Sequence, residues 1–241
     1  REVAVVGLPG DVAASPCAES PGASGPLPSH GIYRPLDGEL RQLAEMIGSA
    51  ERITVFCGIG AREAHDEVVR LAAMLKAPVA YTFKAKMEVQ YDNPYEIGMT
   101  GLLGLPSAYG AMHESDLLLL LGTDFPYDCF LPSECRIAQV DIRPERIGRR
   151  ARVELGLAGD VKETLQALFP MLRERSDRVF LDRQLKIYGA LCDDMAAVAS
   201  KRGSAGNIAP EYVATLIDTL ASDSAIFTVD TGMCCVWGAR Y

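Results

Sequence analysis

The residues best suited to chemistry in this 241-residue chain begin with a glycine turn, Gly58-Ile59-Gly60, between a predicted strand and a predicted helix. Glycines at such a turn let the backbone approach a diphosphate at the N-terminus of the following helix. The dinucleotide-binding pattern is incomplete, because Glu63 occupies the position of its third glycine. The second predicted strand also ends without an acid that could bind a ribose, so the pattern disfavours NAD. A turn whose glycines serve only packing is the alternative interpretation.

Three later segments carry groups that could bind a nucleotide. Residues 98–104 offer backbone N–H groups and the hydroxyl of Thr100, and residues 122–127 follow the most apolar predicted strand. Asp141 ends a further strand, where its carboxylate could accept hydrogen bonds from two ribose hydroxyls. Ligands of open α/β sheets bind at the carboxyl ends of the strands, which predicts a nucleotide site here. No serine-hydrolase elbow, His-Glu-x-x-His helix or Walker sequence accompanies it, so we predict no catalytic residue in the chain.

Composition limits the class of partner. The net charge of −8 disfavours binding to nucleic acid, and the basic cluster of Arg149, Arg150 and Arg152 is predicted to be a solvated surface. Seven cysteines without a C-x-x-C motif, together with three distant histidines, predict reduced thiols in a cytoplasmic protein and no metal site. The unbroken apolar stretch at residues 117–121 is far too short for a membrane span.

The elements that would position these residues alternate regularly between residues 39 and 176. This alternation predicts a doubly wound, mostly parallel sheet of the α/β class. Strands are predicted at residues 52–57, 78–83, 116–121, 136–142 and 153–158, and helices at residues 39–49, 61–76, 107–114 and from 161 onward. Asp160 followed by Glu163 matches a capping box at the start of the last of these helices. Residues 84–105 are predicted to form a long functional loop.

The flanking regions resemble pieces of neighbouring domains. The predicted division is residues 1–12 as the end of one domain, 13–38 as a linker, 39–176 as the central domain, 177–209 as a connector and 210–241 as the start of another domain. Strands are predicted at residues 3–8 and 225–229, and the long helix at residues 177–202 is predicted to be a connector rather than core. Both ends of the chain are expected to have been cut from a longer enzyme.

Several segments carry, in order, a resemblance to a known family. They are residues 92–95 (Asp-Asn-Pro-Tyr), 98–102 (Gly-Met-Thr-Gly-Leu), 121–127 (Leu-Gly-Thr-Asp-Phe-Pro-Tyr), 139–144 (Gln-Val-Asp-Ile-Arg-Pro) and 159–161 (Gly-Asp-Val). The series resembles the central domain of thiamine-diphosphate enzymes of the pyruvate oxidase and pyruvate:quinone dehydrogenase type. Residues 5–12 look like the end of the pyrimidine-binding domain of these enzymes, and residues 227–241 like the start of their diphosphate-binding domain.

The resemblance implies that the central domain binds FAD. It places Thr100, Gly101, Leu102 and Leu103 beside the flavin, and Asp141 near the adenosine. A third group would lie along the cofactor: Thr123, Asp124, Phe125, Pro126 and Tyr127. In this family pyruvate is decarboxylated on thiamine diphosphate, electrons pass to FAD, and a quinone takes them away. Its members are typically homotetramers, and peripheral membrane contact would use a tail beyond Tyr241.

Thiamine diphosphate and Mg²⁺ are expected to bind outside this chain. The family's metal–diphosphate motif, Gly-Asp-Gly followed by Asn-Asn, is missing: Gly10-Asp11 and Gly159-Asp160 are both followed by valine, and no Asn-Asn occurs. The isolated chain is therefore expected to be inactive. Residues 231–235 also depart from the family's usual sequence, which leaves the preferred 2-oxo acid open.

Two alternatives accompany this interpretation. The nearest is acetolactate synthase, a thiamine enzyme in which FAD is structural. Its relatives tend to carry Arg-Phe-Asp-Asp-Arg where this chain has Asp-Phe-Pro-Tyr-Asp at residues 124–128, which favours the oxidase. The alternative of another class is a non-catalytic nucleotide-binding module built on the same fold.

Overall fold

The computed structural model describes residues 7–16, 31–203 and 206–241. The chain divides after Gly31 into two compact units. In the first unit the described residues form one helical turn, α1 (Gly10–Ala13). The strand predicted at residues 3–8 lies mostly outside the described residues, and Gly7 and Leu8 have no regular structure.

The second unit contains a six-stranded sheet in which every neighbouring pair is parallel. The strands are β1 (Ile53–Cys57), β2 (Val79–Tyr81), β3 (Glu96–Met99), β4 (Leu117–Leu121), β5 (Arg136–Asp141) and β6 (Leu155–Ala158), in the spatial order β3-β2-β1-β4-β5-β6. The central strands β1 and β4 are buried along their whole length, as expected for a sheet covered on both faces. The sequence order reverses between β1 and β4, so the predicted doubly wound α/β fold is confirmed.

Helices cover both faces of the sheet. One face carries α2 (Asp37–Ser49), α3 (His65–Leu75) and α6 (Val161–Leu168), whose apolar stripes form a core with the residues of alternate strand positions. The other face carries α5 (Pro106–Glu114) and α7 (Val179–Ala199), which pack around a second core. The remaining helices are α4 (Lys86–Val89), α8 (Pro210–Leu220) and α9 (Met233–Arg240). Among the described helices, none combines the length and apolar character needed to cross a bilayer.

The loop predicted at residues 84–105 contains the edge strand β3, which sequence analysis missed. The segment Glu96-Ile97-Gly98-Met99 has no strong strand pattern, because Gly98 interrupts it and only four residues take part. It is a strand because β2 pairs with it through Val79 and Tyr81. Tertiary pairing therefore overrides a weak local propensity here.

Part of the long helix α7 is buried: Leu181 and Gln184 are almost inaccessible to solvent, and Tyr188 donates a hydrogen bond to Glu96 at the start of β3. One prediction for the C-terminal part is wrong. Residues 225–229 are not a strand. No described strand lies beside them to complete a ladder, and Ile226 is 90% exposed.

Candidate functional site

The predicted site residues lie in the loops that follow β3 and β4 and, for Asp141, at the last position of β5. Because β3 ends at Met99, Thr100, Gly101, Leu102 and Leu103 lie directly after the end of a strand rather than inside a long loop. The three loops thus leave the sheet at the same carboxyl edge, where the strand order also reverses.

The turn between β3 and α5 presents unused hydrogen-bond donors. Its own bonds join the N–H of Gly104 to the carbonyl of Gly101 at 2.9 Å and the N–H of Leu105 to the carbonyl of Met99 at 2.8 Å. Within the described part of the chain, the N–H groups of Gly101, Leu102 and Leu103 donate to no acceptor, and the buried Thr100 Oγ1 also has no partner. An unpaired buried hydroxyl is costly, so this turn suits a ligand that bonds to it.

Glycine shapes this turn at two points. Gly101 has φ +103°, and a Cβ at this position would lie 3.1 Å from the ring of Phe125. A Cβ at Gly104 would lie 2.5 Å from the Cα of Thr100. The turn therefore folds back on itself and reaches the loop that follows β4.

Arg240 holds the same turn from the other end of the unit. Its Nε donates to the carbonyl of Leu103 at 3.0 Å, and one terminal nitrogen donates to the carbonyl of Gly104 at 2.8 Å. Sequence analysis did not assign Arg240 to the site. No local signal could have found it, because it is far from the turn in sequence.

The loop after β4 is ordered by Thr123 and Phe125. The Thr123 hydroxyl accepts a hydrogen bond from the N–H of Phe125 at 3.1 Å, and the Phe125 ring packs edge-on against Phe56 at 5.3 Å. Phe125 is thus buried in the second core, while Pro126 is exposed and Tyr127 is 38% exposed. Of the aromatic residues predicted to lie along a cofactor, Tyr127 is the more accessible.

Two acids at this edge lie in different environments. Asp124 is partly exposed and forms an ion pair with Arg146 at 2.8 Å. Asp141 is buried, and its Oδ1 accepts a hydrogen bond from the N–H of Arg143 at 2.9 Å. Burial raises the pKa of Asp141, although the N–H of Arg143 and the charge of Arg146 oppose this effect. Arg146 was missed by sequence analysis, which considered only the neighbouring arginines.

The glycine turn after β1 serves packing. A Cβ at Gly58 would lie 2.4 Å from the carbonyl oxygen of Gly122, and one at Gly60 would lie 2.7 Å from the Cα of Gly122. The N–H of Gly60 also donates to the Gly122 carbonyl at 2.9 Å. A single 3-10 turn at Ile59–Ala61 follows Gly58, and α3 begins only at His65, so no α-helix N-terminus directly follows the turn. This geometry favours the packing interpretation over a diphosphate cradle.

A groove of about 1210 Å³ lies at the opposite edge, beside Arg52 at the start of β1. Arg175 in this groove donates hydrogen bonds to the carbonyls of Ile47 and Ala50 at the end of α2. The arginine thus caps the C-terminal end of α2, which is a structural role. In the ranges that the structure describes, no group of three or more His, Cys, Asp or Glu side chains could hold a metal ion.

The carboxyl edge fits a flavin nucleotide by its chemistry. It offers free N–H groups and a buried hydroxyl at the β3–α5 turn, an exposed aromatic side chain after β4 and a buried carboxylate at the end of β5. N–H donors suit the carbonyl and phosphate oxygens of such a ligand, and a carboxylate suits ribose hydroxyls.

An all-parallel sheet with a strand reversal and polar loops at its carboxyl edge defines a doubly wound α/β domain of the ligand-binding kind. Residues 40–168, which span the whole sheet, match the family model described as the thiamine pyrophosphate enzyme, central domain. The chain therefore belongs to the thiamine pyrophosphate enzyme family, whose members include acetolactate synthase and pyruvate oxidase.

Individual relatives agree with this assignment. The chain is 47% identical, over 78% of its length, to an uncharacterized 42.6 kDa protein of Pseudomonas amyloderamosa, and covers 48% of that protein. It is 30% identical over its full length to the putative thiamine pyrophosphate-containing protein YdaP of Bacillus subtilis, and covers 42% of it. Acetolactate synthase of Mycobacterium avium and pyruvate oxidase of Lactiplantibacillus plantarum are 28% and 25% identical to it. The chain thus spans less than half the length of the curated relatives it matches.

Proposed function

We propose that this chain is the FAD-binding part of a thiamine-diphosphate enzyme that oxidatively decarboxylates pyruvate to acetate and passes the electrons to a quinone. The observation that carries the proposal is the β3–α5 turn, where three free N–H groups stand beside the unpaired buried hydroxyl of Thr100. The likeness to pyruvate oxidase of Lactiplantibacillus plantarum, over 95% of this chain, supports the choice of reaction.

In this proposal each loop has a separate task. The N–H groups of Gly101, Leu102 and Leu103 and the Thr100 hydroxyl hold the flavin, and Asp141 accepts the hydroxyls of the ribose. Residues 123–127 lie along the middle of the cofactor, where the buried Phe125 supports the turn and Tyr127 shields the cofactor from water. Bound FAD would supply two-electron redox chemistry, which the side chains of this site cannot.

The side chains of the site bind and orient, and none is assigned a proton transfer. Asp124 forms an ion pair with Arg146 at 2.8 Å beside the carboxyl edge. Thiamine diphosphate and Mg²⁺ belong, in this proposal, to the whole enzyme outside this chain. The whole enzyme is further proposed to be a cytoplasmic homotetramer that can contact the membrane peripherally.

Acetolactate synthase is the second candidate. It is favoured by the likeness to the Mycobacterium avium enzyme, which covers 98% of this chain. The residues at positions 124–128 favour the oxidase, since they lack the two arginines that acetolactate synthases tend to carry there. Both candidates share the FAD site, so cofactor binding tests their common part and product analysis separates them.

The test is a titration of the purified protein with FAD, with NAD as the matched control. We expect saturable quenching of flavin fluorescence with FAD and no binding of NAD. Thr100→Val should lower the FAD affinity by about tenfold, because it removes one hydrogen bond. Absence of FAD binding to the full-length protein would overturn the proposal. Acetolactate formation without quinone reduction would replace the oxidase with the synthase, and neither activity in a flavin-loaded protein would favour the non-catalytic module.

A further inference from the structure

The hydrogen bonds of Arg240 connect the C-terminal helix α9 to the β3–α5 turn. We propose that Arg240 is a positioning residue that sets the orientation of the flavin-facing N–H groups in this turn. The inference rests on the proposed function, since it concerns the same site. It adds a residue that lies outside the matched central domain, which ends at residue 168.

The geometry of the contact is that of a two-point clamp. The guanidinium donates through two nitrogens to two successive carbonyls, those of Leu103 and Gly104, at 3.0 and 2.8 Å. Arginine is suited to this because its planar fork holds two acceptors at once. Within the described residues no carboxylate forms an ion pair with Arg240. Its guanidinium group therefore interacts with the carbonyl oxygens of the turn alone.

The clamp acts on the peptide groups that shape the turn. The peptide between Leu103 and Gly104 is held at both ends, because its carbonyl accepts from Arg240 and its N–H donates to Gly101. The next peptide is held in the same way, by Arg240 at the Gly104 carbonyl and by Met99 at the N–H of Leu105. Because these two peptide planes are fixed, the free N–H groups of Gly101, Leu102 and Leu103 keep the direction in which they point toward the proposed flavin.

Arg240 adds to the two backbone hydrogen bonds that the turn makes within itself. Gly101 has φ +103°, a conformation that glycine enters and leaves easily, and Leu102 is 65% exposed. Arg240 is itself well anchored, because the preceding residue, Ala239, is only 3% exposed and packs in the first core. The buried end of α9 thus stabilises the turn, which lowers the ordering cost of ligand binding.

The experiment compares Arg240→Met, Arg240→Gln and Arg240→Lys in the full-length protein, with Arg173→Met as the matched control. Arg173 is exposed and lies beside the groove at the opposite edge of the sheet. We measure the Kd for FAD and the visible circular dichroism of the bound flavin at saturation. Arg240→Met should raise the Kd by about tenfold to a hundredfold and alter the flavin spectrum, because two charge-assisted bonds to the turn are lost.

The partial replacements distinguish positioning from general stability. Arg240→Gln keeps a planar donor and should recover part of the affinity, whereas Arg240→Lys keeps the charge without the fork and should recover less. The Arg173→Met protein should bind FAD like the wild type. If the Arg240→Met protein does not fold, the Arg240→Gln and Arg240→Lys proteins still test the inference, because the Kd for FAD should be lower for Gln than for Lys.

The outcomes separate this inference from the proposed function. A wild-type protein that binds no FAD overturns the proposed function and this inference with it. A wild type that binds FAD, together with Arg240 variants of equal affinity and identical flavin spectrum, overturns only the role of Arg240. Equal loss of affinity in the Arg173 control, or better recovery by Lys than by Gln, also contradicts it.

Discussion

Asp124 and Asp141 show how much the surroundings of a residue decide its chemistry. Both are aspartates beside the carboxyl edge, yet Asp124 is partly exposed and paired with Arg146, whereas Asp141 is buried with a raised pKa. A buried carboxylate that accepts only part of its possible hydrogen bonds is costly in the free protein. It becomes useful when a ligand brings hydroxyl donors to it.

Replacing Asp141 with Asn should therefore change stability and binding in opposite directions. Because the pKa of Asp141 is raised in the folded state, the folded protein binds more protons than the unfolded one between the ordinary and the raised value. Stability is lost as the pH rises through this window, so at neutral pH Asp141→Asn should raise the Tm of the ligand-free protein. The FAD affinity should fall by about tenfold to a hundredfold, since a charged acceptor is lost.

The measurements are thermal unfolding between acid and neutral pH and an FAD titration. The Asp141 variant should flatten the loss of stability as the pH rises from acid. A lower Tm at neutral pH with an unchanged pH profile would contradict the assigned effect of burial.

At the scale of elements, α6 shows what local sequence can specify. The capping box predicted at its start is confirmed on the Asp160 side, where Oδ1 accepts a hydrogen bond from the N–H of Glu163 at 3.2 Å. The apolar stripe of the helix, with Val161, Leu165 and Leu168, is buried as predicted. Both features depend on residues within one or two turns of each other.

Removal of this cap gives an element-scale prediction. Asp160→Ala should lower the free energy of unfolding by about 1 kcal/mol, because it leaves helix N–H groups without an acceptor. The Tm should fall by about 2–4 °C in a chain of this size. Asp194→Ala, at an exposed position within α7, is the matched control and should leave the Tm unchanged or slightly higher. A similar loss in both variants would argue against capping as the cause.

The elements that sequence reasoning missed depend on distant partners. β3 is a strand because β2 lies beside it, and its Glu96 accepts hydrogen bonds from Tyr81 at 2.7 Å and Tyr188 at 3.0 Å. The burial of α7 likewise depends on α5, where Gln184 donates to Glu114 at 3.1 Å. The site shows the same division. The loop after β4 and the acid Asp141 could be located from predicted strand ends, whereas β3, Arg146 and Arg240 could be found only from the folded structure.

At the scale of the whole molecule, the strand order brings the loops after β1 and β4 together at the centre of the sheet. They approach so closely that Gly58, Gly60 and Gly122 have no room for side chains on their facing sides. This glycine contact lies directly before the loop at residues 123–127 and so supports the site.

Substitution within this contact tests that support. Gly60→Ala should lower the free energy of unfolding by about 1–3 kcal/mol, because the new methyl group would lie 2.7 Å from the Cα of Gly122. FAD affinity should fall as well, because the loop after β4 must shift.

Gly189→Ala in α7 is the matched control, since a Cβ there meets nothing within 4 Å. This substitution should stabilise the helix by about 0.5–1 kcal/mol. Unfolding curves and FAD titrations of the two variants should diverge, and a tolerated Gly60→Ala would show that the loops can separate without cost.

The same contact has a consequence for hydrogen exchange. The amide hydrogen of Gly60 is bound to the carbonyl of Gly122, far along the chain, so it can exchange with solvent only when the two loops part. Opening at the outer strands need not disturb it. Its exchange rate therefore reports whether the half of the sheet formed by β1–β3 stays joined to the half formed by β4–β6.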